Sequence, residues 1–260
     1  METIAITNQK GGIGKTSTAA AIAEGLRLSG YKVLIVDLDP QGNLTYSSRA
    51  ENDKTALDLL AGSCPAADTI TTAGACDIIP SEPRLSAAGY GEILTGTGSE
   101  SILAKALEGI RAKYDFCIID TPPALGILTV NALMAADGVI IPTVCDGYSL
   151  QGIGQLSRTI EAVREKNSRL RIYGIVLTRY NKRTAITRKL SNMIEGTALT
   201  VGTKVYKTHI RECVAVKEAQ VIRKSLYDYA PKSNAAADYR ELVNEILKDQ
   251  GRRRRHGKKS

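Results

Sequence analysis

The chain has 260 residues and a formal net charge of +8, with 43% apolar and 24% charged residues, a globular balance that excludes a disordered or collagen-like chain. Cys64, Cys76, Cys117, Cys145 and Cys213 are odd in number and form no C-x-x-C pair, which argues against a disulfide scaffold and against a zinc or iron–sulfur site. No apolar run approaches the roughly 18 residues of a membrane span, and Met1-Glu2-Thr3-Ile4-Ala5-Ile6 lacks a secretion signal, so a cytoplasmic protein is expected.

In chain order, residues 3–7 read as a buried strand, and residues 15–28 as a helix with Ala19, Ile22, Ala23 and Leu26 at helical spacing and Gly30 as its stop. Residues 32–37 give a second Ile/Val-rich strand. The stretch 47–98, rich in Gly, Ser, Thr and Ala, reads as short helices and loops. Beyond it the pattern predicts helices over 101–112, 127–136 and 151–166, alternating with strands over 115–120, 138–142 and 171–178. Cys117 and Cys145 fall in predicted strands as core packing. A final helix presents Tyr239, Leu242, Val243, Ile246 and Leu247 on one core-facing stripe. Continuous apolar strands alternating with helices predict an α/β fold, a mostly parallel twisted sheet with helices on both faces. One domain over 1–250 is expected, followed by a basic tail, 251–260, read either as a solvated disordered end or as extra charge for a polyanion.

The charge is unevenly spread. Residues 1–157 carry 10 Lys and Arg against 17 Asp and Glu, whereas residues 158–232 carry 17 against 6. The tail adds six basic residues and no acid. An acidic N-terminal part followed by a basic part suits a surface that faces a polyanion, the alternative being chance patchiness.

The first strand runs into Asn8-Gln9-Lys10-Gly11-Gly12-Ile13-Gly14-Lys15-Thr16-Ser17 and then a helix. Glycines let the backbone turn so that successive N–H groups face phosphate oxygens, and the helix N-terminus adds partial positive charge. Lys15 is placed to reach the β- and γ-phosphates, and the Thr16 hydroxyl to coordinate Mg²⁺. A second cation, Lys10, is suited to charge developing between those phosphates, the alternative being a solvated loop lysine. Two further strands end in acid: Val33-Leu34-Ile35-Val36-Asp37-Leu38-Asp39-Pro40-Gln41-Gly42-Asn43 and Phe116-Cys117-Ile118-Ile119-Asp120-Thr121-Pro122-Pro123. Carboxylates at the sheet's carboxyl edge suit a metal–phosphate site; a helix N-cap is the other use for Asp120.

The run K-G-G-I-G-K-T closely resembles the deviant Walker A loop of the ParA/MinD-type ATPases, and D-L-D-P-Q-G-N and D-T-P-P resemble that family's switch and Walker B segments. The likeness continues through Tyr173-Gly174-Ile175-Val176-Leu177-Thr178 and Tyr229-Ala230-Pro231-Lys232-Ser233, which look like the plasmid and chromosome partition ParA proteins, including the short Soj-like type. The resemblance implies an Mg²⁺-dependent ATPase that closes as a homodimer over two ATP molecules. Residues 10–17 would hold the nucleotide, with Lys10 reaching the partner's nucleotide. Asp39 would orient the attacking water, and Thr16, Asp39 and Asp120 would surround the metal. Asp146, where relatives often carry Glu, would touch the ribose across the dimer.

It further implies nonspecific DNA binding, here through Lys182, Arg183, Arg188, Lys189, Arg211, Lys217, Arg223 and Lys224, nucleoid association, and a ParB-like partner that stimulates hydrolysis. Relatives often have an Arg near Ala215, so one contact is missing. The chain starts at the first strand, so no N-terminal helix-turn-helix is expected. The basic end has no apolar face for a membrane. The alternative is a MinD-like or other positioning ATPase acting on a non-DNA cargo or an acidic protein.

Overall fold

In the computed structural model, which describes residues 1–74, 76–88 and 97–252, seven strands form one sheet in the order β3-β4-β2-β5-β1-β6-β7. The strands are β1 (Glu2–Ile6), β2 (Val33–Asp37), β3 (Thr71–Ala73), β4 (Cys76–Ile79), β5 (Phe116–Asp120), β6 (Gly138–Thr143) and β7 (Arg171–Leu177). Every pairing is parallel except β3 with β4. The helices are α1 (Lys15–Leu28), α2 (Asn43–Ser48), α3 (Ala56–Leu60), α4 (Ala66–Thr69), α5 (Leu85–Ala88), α6 (Ile102–Glu108), α7 (Ile127–Ala135), α8 (Ser149–Arg164), α9 (Ala185–Thr200), α10 (Val214–Val221), α11 (Leu226–Tyr229) and α12 (Asn234–Asp249).

Side-chain alternation along the strands divides the core into two layers. Leu34, Val36, Cys117, Ile119, Val139 and Ile141 face one layer, made with α3–α9. Ile4, Ile6, Ile35, Phe116, Ile118 and Ile140 face the other, made with α1, α2, α11 and α12. Burial on both faces explains why these strands read as unbroken apolar runs.

Helix α1 has the predicted bounds, and Gly30 takes φ 88° just past its end, with its N–H on Arg27 O. The α12 stripe is buried against α1, each of its five side chains contributing roughly 2 kcal/mol. Gly25 makes that packing possible: a Cβ there would lie 2.8 Å from Val243 Cγ2.

Three sequence expectations change. The stretch 47–98 holds two strands besides short helices; β4 extends the parallel sheet beside β2, and β3 folds back on it as a hairpin. The helix expected over 101–112 ends at Glu108 and gives way to a short 3₁₀ turn, Arg111–Lys113. Cys145 lies beyond the end of β6, whereas Cys117 is buried within β5. Most of the tail, residues 253–260, lies outside the described residues. Its second residue is packed on the sheet's amino edge: the Arg252 guanidinium sits 4.7 Å from the Phe116 ring centroid and 4.0 Å from Glu2.

Candidate nucleotide site

The site lies at the carboxyl edge of the sheet, where β1, β2 and β5 end side by side. Gly12 and Gly14 take φ 72° and 89° in the turn from β1 into α1, conformations that a side chain would strain. Neighbouring strands fix this loop. Asn8 Nδ2 donates to Pro142 O at the end of β6 (2.7 Å), and Thr178 Oγ1, just past β7, donates to Ile13 O (2.7 Å). Lys15 Nζ donates to Lys10 O (2.9 Å), so the lysine curls back over the loop. Gly11 to Ser17 and Asp39 wall a cleft of about 600 Å³ together with Thr178, Ile210, Cys213 and Lys217.

Parallel register brings the acids together: Asp37 stands opposite Asp120 on the adjacent strand. Asp37 Oδ2 accepts from Thr45 N (2.8 Å) and Thr45 Oγ1 (2.7 Å), and its Oδ1 from Asp39 N (3.1 Å). Burial outweighs these bonds and pushes Asp37 up to about 6. Asp120 is raised well above the usual carboxylate range, first by burial and then by the Asp37 charge. Thr16 faces Asp120 and favours its ionised form, yet both Asp120 oxygens are buried without a partner at hydrogen-bonding geometry. Burial lowers the Lys15 pKa, and Asp120 and Asp39 oppose that fall.

A buried carboxylate with two idle oxygens beside a threonine hydroxyl fits a hard divalent cation. Among the described residues no cluster of three or more His, Cys, Asp or Glu is arranged to hold a metal alone.

The raised carboxyls carry a pH signature. An Asp whose pKa rises from 3.8 to about 6 on folding binds its proton more tightly in the folded chain. Its stabilising effect is complete below 3.8 and is lost as pH rises through about 6, on the order of 3 kcal/mol for Asp37. Thermal unfolding of the nucleotide-free protein should therefore show a wild-type Tm that falls relative to Asp37→Asn by several degrees between pH 4 and 6.5. A pH-independent difference would place Asp37 outside the low-dielectric site.

Lys10 leaves the cleft lining. Its Nζ forms an ion pair with Asp146, and the Tyr148 ring lies 5.9 Å away. Burial works against the Asp146 carboxylate, but the bonds from Lys10 and Ser149 prevail and hold its pKa below the usual range. Within the single chain Asp146 is thus the partner of the loop lysine Lys10.

The eight basic residues separate. Lys182 and Arg183 precede α9, Arg188 and Lys189 lie on its first turns, and all four lack side-chain hydrogen bonds and ion pairs among the described residues. Arg211 is committed to Asp238 of α12 (Nη2–Oδ1 2.6 Å). Lys217 lines the nucleotide cleft, Arg223 is bound to Tyr46, and Lys224 lines a second cleft. Sequence patterns missed Asn8, Thr45, Ser81 and Thr178. Only the position of Asn8 and Thr178 at strand ends offered a signal.

A mostly parallel sheet with this glycine loop between its first strand and helix, and paired acids across β2 and β5, defines a P-loop nucleotide-binding protein. Two family models match: "AAA domain" over residues 1–172, and "4Fe-4S iron sulfur cluster binding proteins, NifH/frxC family" over residues 124–255. The chain is 39% identical to the sporulation initiation inhibitor protein Soj of Bacillus subtilis over 94% of this chain and 97% of that one. It is 38% identical to the chromosome partitioning protein ParA of Caulobacter vibrioides over 95% and 94%. The crystal structure of cobyrinic acid a,c-diamide synthase from Mycobacterium smegmatis with bound ADP and magnesium superposes with a TM-score of 0.83 at 31% identity, covering 99% of both chains. The chain belongs to the ParA/Soj-type family of P-loop ATPases. Within the stretch matched by the second model, Cys145 and Cys213 sit on separate elements, after β6 and before α10.

Proposed function

We propose that this protein is an Mg²⁺-dependent ATPase of DNA partition, switching between a free form and an ATP-bound dimer that holds DNA nonspecifically on the nucleoid, with a ParB-like partner stimulating hydrolysis. The observation that carries the reading is the Lys15–Asp39–Asp120 constellation at the phosphate loop, with a second loop lysine, Lys10, turned to the rim. The loop N–H groups and Lys15 bind the phosphates. Thr16 and Asp120 would hold the magnesium ion, which would supply neutralising charge to the phosphates. Asp39 orients water against the γ-phosphorus, so that the water oxygen–phosphorus bond forms as the bond to the ADP oxygen breaks. Lys10 exchanges Asp146 for the partner subunit's nucleotide when two chains close.

The unpaired Lys182, Arg183, Arg188 and Lys189 provide the DNA contact. Two such patches acting together in a dimer give the nucleotide-dependent rise in affinity. Binding to random-sequence duplex should require Mg-ATP and fall roughly 10³-fold between 50 and 200 mM salt if about six phosphates are contacted. Lys182→Glu with Arg183→Glu should weaken it at least about tenfold at unchanged ATP affinity. ATP-dependent dimerisation without DNA binding at any salt would instead favour a positioning ATPase with a non-DNA cargo. Among the described residues no helix is long and apolar enough to cross a membrane.

A further inference from the structure

Helix α10, which carries Lys217, has little hold on the core. Of its eight residues only Ala219 is buried. The nucleotide cleft lies against it, and so does a second cleft of about 590 Å³ between the outer face of α1 and the β3–β4 hairpin. Ala215 and Val216 rest half-buried against the α1 side of the core, and polar ties add to that shallow seating.

Those ties run to the nucleotide site. Gln220 Nε2 donates to Ser17 Oγ (3.0 Å) in the first turn of α1. Arg223 Nε donates to Tyr46 O (2.7 Å), and its guanidinium lies over the Tyr46 ring, 4.7 Å from the centroid. In return Arg49 Nη2 donates to Ile222 O (3.4 Å). Each arginine therefore grips the segment that carries the other. Both have left-handed backbones, φ 56° at Arg49 and 54° at Arg223, and among the described residues Arg179 is the only other non-glycine with positive φ. Such conformations persist where the surroundings over-determine them, and here the reciprocal grip does so.

The segment gripped on the other side is the nucleotide switch. Thr45, next to Tyr46, holds Asp37 through both its N–H and hydroxyl, and its Oγ1 accepts from Ser81 N (2.8 Å). Ser81 Oγ in turn donates to Asp39 O (2.7 Å). A change at Asp37 thus reaches the clasp through Thr45, and one at Asp39 through Ser81 and Thr45.

We propose that Arg49, Tyr46 and Arg223 form a clasp that transmits the state of the nucleotide site to the α10–α11 segment. Arg223 is then a positioning residue, and Lys217 and Lys224 are the charges it places. What the moved segment does rests on the DNA-binding reading above; the movement itself does not.

Amide hydrogen exchange on the full chain, with and without Mg-ATP, tests the clasp. In the wild type, ATP should slow exchange across residues 214–229 at least about threefold, as well as at residues 10–17. Arg223→Gly, which leaves the left-handed turn unstrained, should keep ATP affinity within about twofold and keep protection at 10–17 while losing the response at 214–229. Arg223→Lys, which keeps the charge but not the planar stack, should restore the response only in part. An ATP response at 214–229 that is absent in the wild type, or intact in Arg223→Gly, overturns the proposal. Protection at 10–17 in each variant separates loss of the clasp from loss of the fold. DNA binding measured in parallel separates the two readings: a wild type that shows the exchange response but no ATP-dependent DNA binding refutes the DNA reading and upholds the clasp.

Discussion

Lys15→Ala should weaken Mg-ATP binding by at least about 100-fold in isothermal titration calorimetry, because a desolvated cation facing phosphate is worth several times an exposed one. Lys15 is 6% exposed and its ammonium is anchored to Lys10 O, so its position is set before nucleotide arrives. Burial already lowers its pKa, and phosphate charge would restore what burial took away. The substitution also deprives Asp120 and Asp39 of their nearby cation. Asp120, raised by burial, responds by keeping its proton, so the folded chain should survive with a modest change in Tm. Wild-type affinity in a folded Lys15→Ala protein would remove the phosphate loop from the mechanism.

The parts of this site legible in the sequence are those made by contiguous residues. The loop 10–17 needs its glycines, lysine and threonine at fixed spacing, and the strands feeding it are unbroken apolar runs because both faces are buried. What could not be read depends on register and on long-range partners. Asp37 and Asp120 are neighbours only because β2 and β5 pair in that register, 83 residues apart in sequence. The hairpin Thr71–Ala73 and Cys76–Ile79 is short and interrupted by glycine, which hides its strand character behind turn residues. Charge alone overstated the number of free basic residues. Arg211 pairs with Asp238 of α12 and Arg223 with the Tyr46 backbone, pairings that no local pattern announces.

Asp39→Ala should lower ATP turnover by roughly 10²–10³-fold while ATP still binds, and an ATP-bound dimer should accumulate on size-exclusion chromatography. The contrast with Asp37 supports this division. Asp37 is fully buried and spends both oxygens on Thr45 and on the Asp39 N–H, so it shapes the switch. Asp39 lines the cleft; its Oδ1 accepts from Gln41 N (3.0 Å), and its Oδ2 has no hydrogen bond among the described residues. One oxygen therefore fixes the carboxylate and the other is left for water. Asp39→Asn keeps the bond from Gln41 through its one oxygen but presents an NH2 donor to water in place of the Oδ2 acceptor, so it should retain the geometry and still lose most of the turnover. Asp37→Asn should instead change the pH profile of unfolding with a smaller effect on turnover. If both Asp39 variants hydrolyse ATP at the wild-type rate, water is positioned by another group and the free Oδ2 belongs to the folding of the switch alone.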